Sequence, residues 1–195
     1  VLRLLATHGV VAETPDHRYA LTDVGQHFLQ GTPGSVAARL APAWQDLFWR
    51  AAGELPAALR TGEPGFDLAY GTPLFAYLAA HPEAGRAFDG AMARWSAPED
   101  AAIAAAFPFD AFRRVIDLGG GGGGLLRAIR ARAPVARLVL FDRPDVVARA
   151  TAPGIEVVAG DFFAAVPEGG DLYILKRILH DWSDDDAVRI LARVQ

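Results

Sequence analysis

Six consecutive glycines, Gly119–Gly124, follow the apolar run Val115-Ile116-Asp117-Leu118 without a gap and lead directly into the amphipathic stretch Leu125–Arg132. Few folds accept a strand, a turn made only of glycine and a helix in immediate succession. Glycine permits a sharp turn with positive φ and lets a ligand lie against bare backbone. The same arrangement puts that ligand at the carboxyl end of a strand and near the amino end of a helix. A flexible glycine linker would not be bounded by an apolar strand on one side and an amphipathic helix on the other.

The surrounding pattern agrees. Beyond Phe112 strands are expected at Val115–Leu118, Arg137–Phe141, Ile155–Ala159 and Leu172–Leu175, with helices at Leu125–Arg132, Asp145–Ala150 and Asp184–Val194. Alternating strands and helices imply a parallel sheet with right-handed crossovers. The expected fold class is therefore α/β, a Rossmann-like parallel sheet. Four strands suggest an incomplete sheet. The lack of an initiator Met and a last residue, Gln195, inside a helical pattern read as a fragment.

The first half of the chain is mainly helical. Val10-Val11-Ala12 and Tyr19-Ala20-Leu21 flank the polar turn Thr14-Pro15-Asp16-His17 and suggest a hairpin. Thr22 reads as the N-cap of a helix from Asp23 to Gln30 that Gly31 ends. Helix and hairpin together resemble the wing of a winged helix. Residues 35–106 read as helices broken by Gly and Pro. Pro82 opens one, with Ala84, Phe88, Met92 and Trp95 along one face. Pro98, followed by Glu99 and Asp100, reads as the start of a separate short helix, Ala101–Ala106, and Phe107-Pro108-Phe109 as a linker. Two domains are expected: residues 1–96, a winged-helix and dimerisation part with acceptor-pocket helices, and residues 97–195, the Rossmann-like part.

Composition narrows the function classes. A hydrophobic content of 52% excludes disorder. No apolar run approaches the roughly 20 residues that cross a membrane, and no signal peptide is recognisable. The absence of cysteine excludes disulfides and thiolate-bound zinc, which fits a cytoplasmic protein. The formal net charge is -4, and residues 1–60 carry five arginines against five carboxylates. That balance disfavours a DNA-binding regulator, whose affinity rests on phosphate neutralisation. Lys176 is the only lysine in an arginine-rich chain, which singles it out.

The glycine loop implies an adenosine-containing cofactor without choosing one. Gly119, Gly121 and Gly124 satisfy the dinucleotide pattern, and Asp142, about 20 residues on, is placed for ribose hydroxyls. Asp117 discriminates: an acid beside the loop suits the ammonium of S-adenosylmethionine and would repel the phosphates of NAD. Asp161 is placed to accept from an adenine amine, and Phe162 to pack on its ring; core packing is the alternative for Phe162 or Phe163. After the fourth strand comes Lys176-Arg177-Ile178-Leu179-His180-Asp181-Trp182. His180, at the mouth of the cleft, is the natural general base, because imidazole titrates near neutral pH. Ser183 with Asp184, Asp185 and Asp186 reads as a helix cap rather than a metal site.

Taken together, Asp117–Gly123, Phe141-Asp142-Arg143-Pro144, Gly160-Asp161-Phe162-Phe163 and Leu175–Asp184 resemble, in order and spacing, the plant caffeate-type O-methyltransferases and their bacterial relatives acting on polyketides and phenazines. The N-terminal segment and the Phe88/Met92 helix share in the resemblance. It implies S-adenosylmethionine as cofactor, with Gly119 at its methionine part, Asp142 at the ribose, Asp161 and Phe162 at adenine, and Lys176 in contact from the fourth strand. It further implies that His180 deprotonates a hydroxyl of a small aromatic acceptor, that Met92, Trp95 and Asp181 border the acceptor, and that the full-length protein is a homodimer with no nucleic-acid or membrane partner. The histidine's acidic partners in the family lie further along the chain than residue 195. A relative that uses the same cofactor for decarboxylation or hydroxylation, and an NAD oxidoreductase, are the competing readings.

Overall fold

The protein is described by a computed structural model over residues 1–29, 35–36, 42–132 and 137–194, the side chains of residues 42–45 excepted. It divides into two compact units, Val1–Arg94 and Trp95–Gln195.

In the first unit α1 (Leu2–Thr7) precedes an antiparallel hairpin of β1 (Val11–Glu13) and β2 (Tyr19–Leu21), in register Val11↔Leu21. Thr22 caps α2 (Asp23–Gln26), its hydroxyl accepting from the Gly25 amide at 3.1 Å. The helix is shorter than the expected Asp23–Gln30: it ends at Gln26, and residues 30–31 lie outside the described residues. Next come α3 (Pro42–Gly53), α4 (Leu55–Thr61), α5 (Gly65–Tyr70) and α6 (Leu74–Ala80). Gly62 and Gly71 end α4 and α5 in the left-handed conformation that glycine adopts without a Cβ penalty. Leu47, Phe66 and Leu78 form the core of this unit, and Phe66 stacks on Tyr70 with ring centroids 4.5 Å apart.

One expectation is corrected by α7, which runs unbroken from Pro82 to Ala106. Pro98 does not begin a helix; it lies inside one. The sequence Pro-Glu-Asp has the form of a helix start, but a proline also survives within a helix when flanking residues pack well enough to offset a cost of about 3 kcal/mol. Here Asp100 and Ala104 are buried just beyond it. Proline has no N–H to offer the carbonyl four residues back, which is that of Arg94, where the two units divide. Phe107–Phe109 is likewise more than a linker: Phe109 is buried in the core and opens a 3₁₀ turn, Phe109–Ala111.

The second unit is an all-parallel sheet, β3 (Arg114–Leu118), β4 (Arg137–Asp142), β5 (Glu156–Ala159) and β6 (Leu172–Ile174), in spatial order β5-β4-β3-β6. A parallel sheet is covered on both faces, so its central strands read as continuous apolar runs. Val115, Leu138 and Leu140 bury one face against Leu125, Leu126 and Ile129 of α8 (Gly124–Arg132), while Ile116, Leu118, Val139 and Phe141 bury the other. The Asp171 carboxylate accepts from the amides of Arg113 and Arg114, each at 2.7 Å, and ties the start of β6 to that of β3. The helix after β4 is shorter than expected, α9 (Pro144–Val147), and α10 (Asp184–Leu191) closes the described chain. No helix among the described residues is long and apolar enough to cross a membrane.

Candidate functional site

The glycine loop leaves the carboxyl end of β3, where neighbouring β4 fixes its start: the Gly119 amide donates to the Phe141 carbonyl at 2.8 Å. Gly119, Gly121 and Gly123 have φ of 71°, 59° and 77°, a region costly for any residue with a Cβ. Space constrains others. A Cβ at Gly119 would strike Ile178, one at Gly120 would lie 2.6 Å from Asp117 Oδ2, and one at Gly124 would lie 2.6 Å from Asp100 Oδ2. At Gly121 and Gly122 a Cβ would meet nothing within 4 Å. The loop is thus closed at its base and open at its apex.

Asp117 forms the floor of the loop. Only 2% exposed, its carboxyl is pushed up to about 7. Burial is the main cause; Lys176 opposes it, while Asp100 and Asp142 add to it. Asp142, at the end of β4, accepts from the Gly121 amide through Oδ2 (2.8 Å) and from the Arg143 amide through Oδ1 (2.7 Å). It therefore holds the open apex of the loop. Asp161 follows β5; it is exposed and accepts from the Phe163 amide at 2.8 Å. Phe162 packs against the Ile116/Leu118 face of the sheet and also approaches Gly119, whose Cβ position lies 4.0 Å from its ring. It meets Trp182 edge-on at 5.8 Å, as Phe163 does at 4.8 Å.

Lys176, at the carboxyl end of β6, is 17% exposed, and its ammonium binds the Asp100 carboxylate of α7. Glu99 Oε2 stands 3.9 Å from the same ammonium. Arg177 carries the link onward in the left-handed conformation, φ 58°. Its guanidinium donates to Glu99 Oε1 at 2.6 Å and lies 5.5 Å over the Trp95 ring. Strained non-glycine residues of this kind persist where surrounding contacts over-determine them. Glu99 and Asp100 were missed as site residues because Pro-Glu-Asp read as a helix start; the pointer to them was the lone lysine, which needs an acidic partner when enclosed.

His180 sits in a 3₁₀ turn, Leu179–Asp181, with 62% of its side chain exposed and Nε2 3.5 Å from Asp181 Oδ1. Partial burial raises the Asp181 carboxyl above its usual range, and His180 opposes the rise. Ser183 caps α10, accepting from the Asp186 amide at 3.2 Å, and Asp186 pairs with Arg189 at 2.8 Å. Among the described residues no cluster of His, Cys, Asp or Glu is arranged to hold a metal ion.

The sheet thus gathers Asp117, Gly119, Gly121, Asp142 and Lys176 at the carboxyl edge of its central strands, with Asp161, Phe162 and His180 on the segments leaving that edge. Trp95, 38% exposed, belongs to the same unit, whereas half-buried Met92 belongs to the first.

The model of the O-methyltransferase domain family matches residues 52–195. The phenazine O-methyltransferase PhzM of Lysobacter antibioticus is 38% identical over 98% of the chain, which spans 58% of that relative's length. Among solved structures, the mitomycin 7-O-methyltransferase MmcR superposes with a TM-score of 0.85 at 38% identity, over 98% of this chain and 59% of its own. NcsB1, an O-methyltransferase of neocarzinostatin biosynthesis solved with S-adenosylhomocysteine and 1,4-dihydroxy-2-naphthoic acid, gives 0.83 at 29% identity, over 98% and 61%. A class I, Rossmann-like methyltransferase fold with an incomplete sheet accounts for both the topology and these matches, and the chain belongs to the O-methyltransferase domain family.

Proposed function

We propose that the protein transfers a methyl group from S-adenosylmethionine to a hydroxyl of a small aromatic acceptor. The observation that carries this reading is the glycine loop, closed at its base, open at its apex and floored by the buried carboxyl of Asp117. A buried acid whose ionised form is disfavoured gains from a cationic ligand and repels phosphate. The residues present fit the methionine ammonium better than a dinucleotide.

On this reading Gly119 and Gly121 lie against the methionine part, and Asp117 meets its ammonium. Asp142, whose carboxylate holds the Gly121 amide, receives the ribose hydroxyls. Asp161 and Phe162 hold adenine, and Lys176 borders the cofactor while bound to Asp100. S-adenosylmethionine, when bound, supplies a sulfonium methyl open to displacement by an oxygen nucleophile. His180 takes the acceptor's hydroxyl proton at the ring nitrogen turned away from Asp181, which stabilises the resulting imidazolium. Trp95 and Asp181 border the acceptor. Positioning the two reactants together contributes about 7–11 kcal/mol to such a reaction, more than a general base provides. The winged-helix and homodimer assignments for residues 1–96 belong to the same proposal, as does an aromatic acceptor of the class bound by NcsB1.

The test is calorimetric titration of the intact protein with S-adenosylhomocysteine and with NAD, followed by methyl-transfer assays on hydroxynaphthoic and phenazine acceptors. Binding of S-adenosylhomocysteine alone, with methylation on oxygen, is the expected result. Tight NAD binding, or cofactor binding with no methylated product from any phenolic acceptor, would refute the proposal.

A further inference from the structure

The segment Lys176–Trp182 carries His180 away from the sheet, and contacts on both sides of the histidine set its course. Lys176 is tied to Asp100. Ile178 fills the space that a Cβ at Gly119 would take. Trp182 stands edge-on to Phe162 and Phe163. His180 does little to fix itself: 62% of its side chain is exposed, and Nε2 stands 3.5 Å from Asp181 Oδ1. Its position is inherited from the backbone around it.

Arg177 is where that backbone turns. Its φ of 58° lies in the left-handed region, which residues other than glycine seldom adopt. A return to an ordinary φ would redirect every residue that follows, His180 included. Two residues of α7 oppose that return. Trp95 and Glu99 are four positions apart and so share one face of the helix. Glu99 holds the guanidinium at two points, with Nη2 donating to Oε1 at 2.6 Å and Nε to Oε2 at 3.3 Å. The guanidinium carbon lies 5.5 Å from the centroid of the Trp95 ring. A two-point contact of this kind fixes direction as well as distance. Its contribution to folding is small, because the Arg177 and Glu99 side chains are 41% and 44% exposed and water screens such pairs. What the pair fixes is a direction of the chain.

We propose that Arg177, gripped by Glu99 and Trp95, is a positioning residue that acts through His180: the grip keeps the left-handed turn in place and so holds the imidazole within reach of the acceptor hydroxyl. The inference rests on the methyl-transfer reading above, with His180 as base, and it leaves Lys176 at the cofactor. A misplacement of about 1 Å can cost about 10²-fold in rate. An exposed pair can therefore matter far more to turnover than to stability.

The test is a double-variant cycle on the intact protein: wild type, Glu99→Gln, His180→Gln and the two combined. Turnover is measured with the hydroxynaphthoic or phenazine acceptor on which wild type is active, S-adenosylhomocysteine affinity by calorimetry, and stability by urea unfolding. Glu99→Gln should lower kcat about 10–100-fold, with acceptor KM, S-adenosylhomocysteine affinity and unfolding midpoint little changed. The combined variant should be no slower than His180→Gln alone, because a grip with no base to place has nothing left to lose. Losses that multiply in the combined variant overturn the inference, as does wild-type turnover in Glu99→Gln. So does a kcat loss matched by an equal loss of S-adenosylhomocysteine affinity, which would show Glu99 acting through Lys176, 3.9 Å from its Oε2. Should Glu99→Gln fail to fold by circular dichroism, Arg177→Gln takes its place in the cycle with the same expected pattern. Unchanged turnover in His180→Gln removes the base, and the inference with it. Failure of wild type to bind S-adenosylhomocysteine or to methylate any phenolic acceptor refutes the functional reading itself.

Discussion

Replacing Asp117 by Asn should stabilise the ligand-free protein at alkaline pH while weakening the site. The Asp117 carboxyl ionises at about 7 in the fold against an ordinary value of 3.8. A folded-state value above the unfolded one means that the native state binds the proton more tightly. The stabilisation this group contributes is then fully present below about 3.8 and is lost as pH rises through about 7. Each pH unit of displacement corresponds to about 1.4 kcal/mol, so the full swing is on the order of 4 kcal/mol. Asn has nearly the same shape and no proton to lose. Urea unfolding followed by circular dichroism at pH 5, 6, 7 and 8 should give a wild-type curve that falls relative to Asp117→Asn. The variant should be the more stable protein at pH 8 by a few kcal/mol. Only the difference between the two proteins matters, since every other group is common to both. Parallel pH dependences, or a wild type that gains on the variant between pH 5 and 7, would refute the argument. The same substitution should cost affinity for S-adenosylhomocysteine, a trade between stability and binding of the kind strained sites display.

Other outcomes follow from single contacts. His180→Gln should lower methyl transfer by about two to four orders of magnitude with little change in cofactor affinity, read from kcat and a separate binding isotherm; unchanged turnover would remove the histidine from the chemistry. Gly160→Ala would put a Cβ within 2.6 Å of the Phe141 ring and should cost about 1–3 kcal/mol in urea unfolding. Backbone hydrogen bonds from Arg113 and Arg114 hold the Asp171 carboxyl below its usual range. Its contribution is thus present above the ordinary carboxylate pKa and lost as pH falls. Asp171→Ala should therefore be less stable than wild type at pH 7, with the gap closing in acid.

Strand β3 and the glycine loop were legible because two strict demands coincide there: both faces of the strand are buried, which leaves a continuous apolar run, and three loop positions need positive φ. Thr22 and Ser183 were legible as caps because capping is a contact over two or three residues. Pro98 was not, since the packing that holds it inside α7 comes from residues far along the chain. Asp100 and Lys176 are 76 positions apart, and no local pattern joins them. Sequence alone allows Phe162 either adenine or the core; in the fold it touches both the buried sheet face and the loop. Helix ends after β4 and in α10 were overextended by three residues each, because periodicity fades without marking where the last turn closes.

The constraints on the glycine run are unequal, and that gives an experimental handle. Left-handed backbone requires glycine at 119, 121 and 123, and close neighbours exclude side chains at 120 and 124. Gly122 has ordinary φ and open space where a Cβ would stand. The chain contains no cysteine. A cysteine placed at 122 would be the only thiol in the sequence, at the apex of the loop, and a fluorophore attached there would report ligand arrival without competing labels elsewhere.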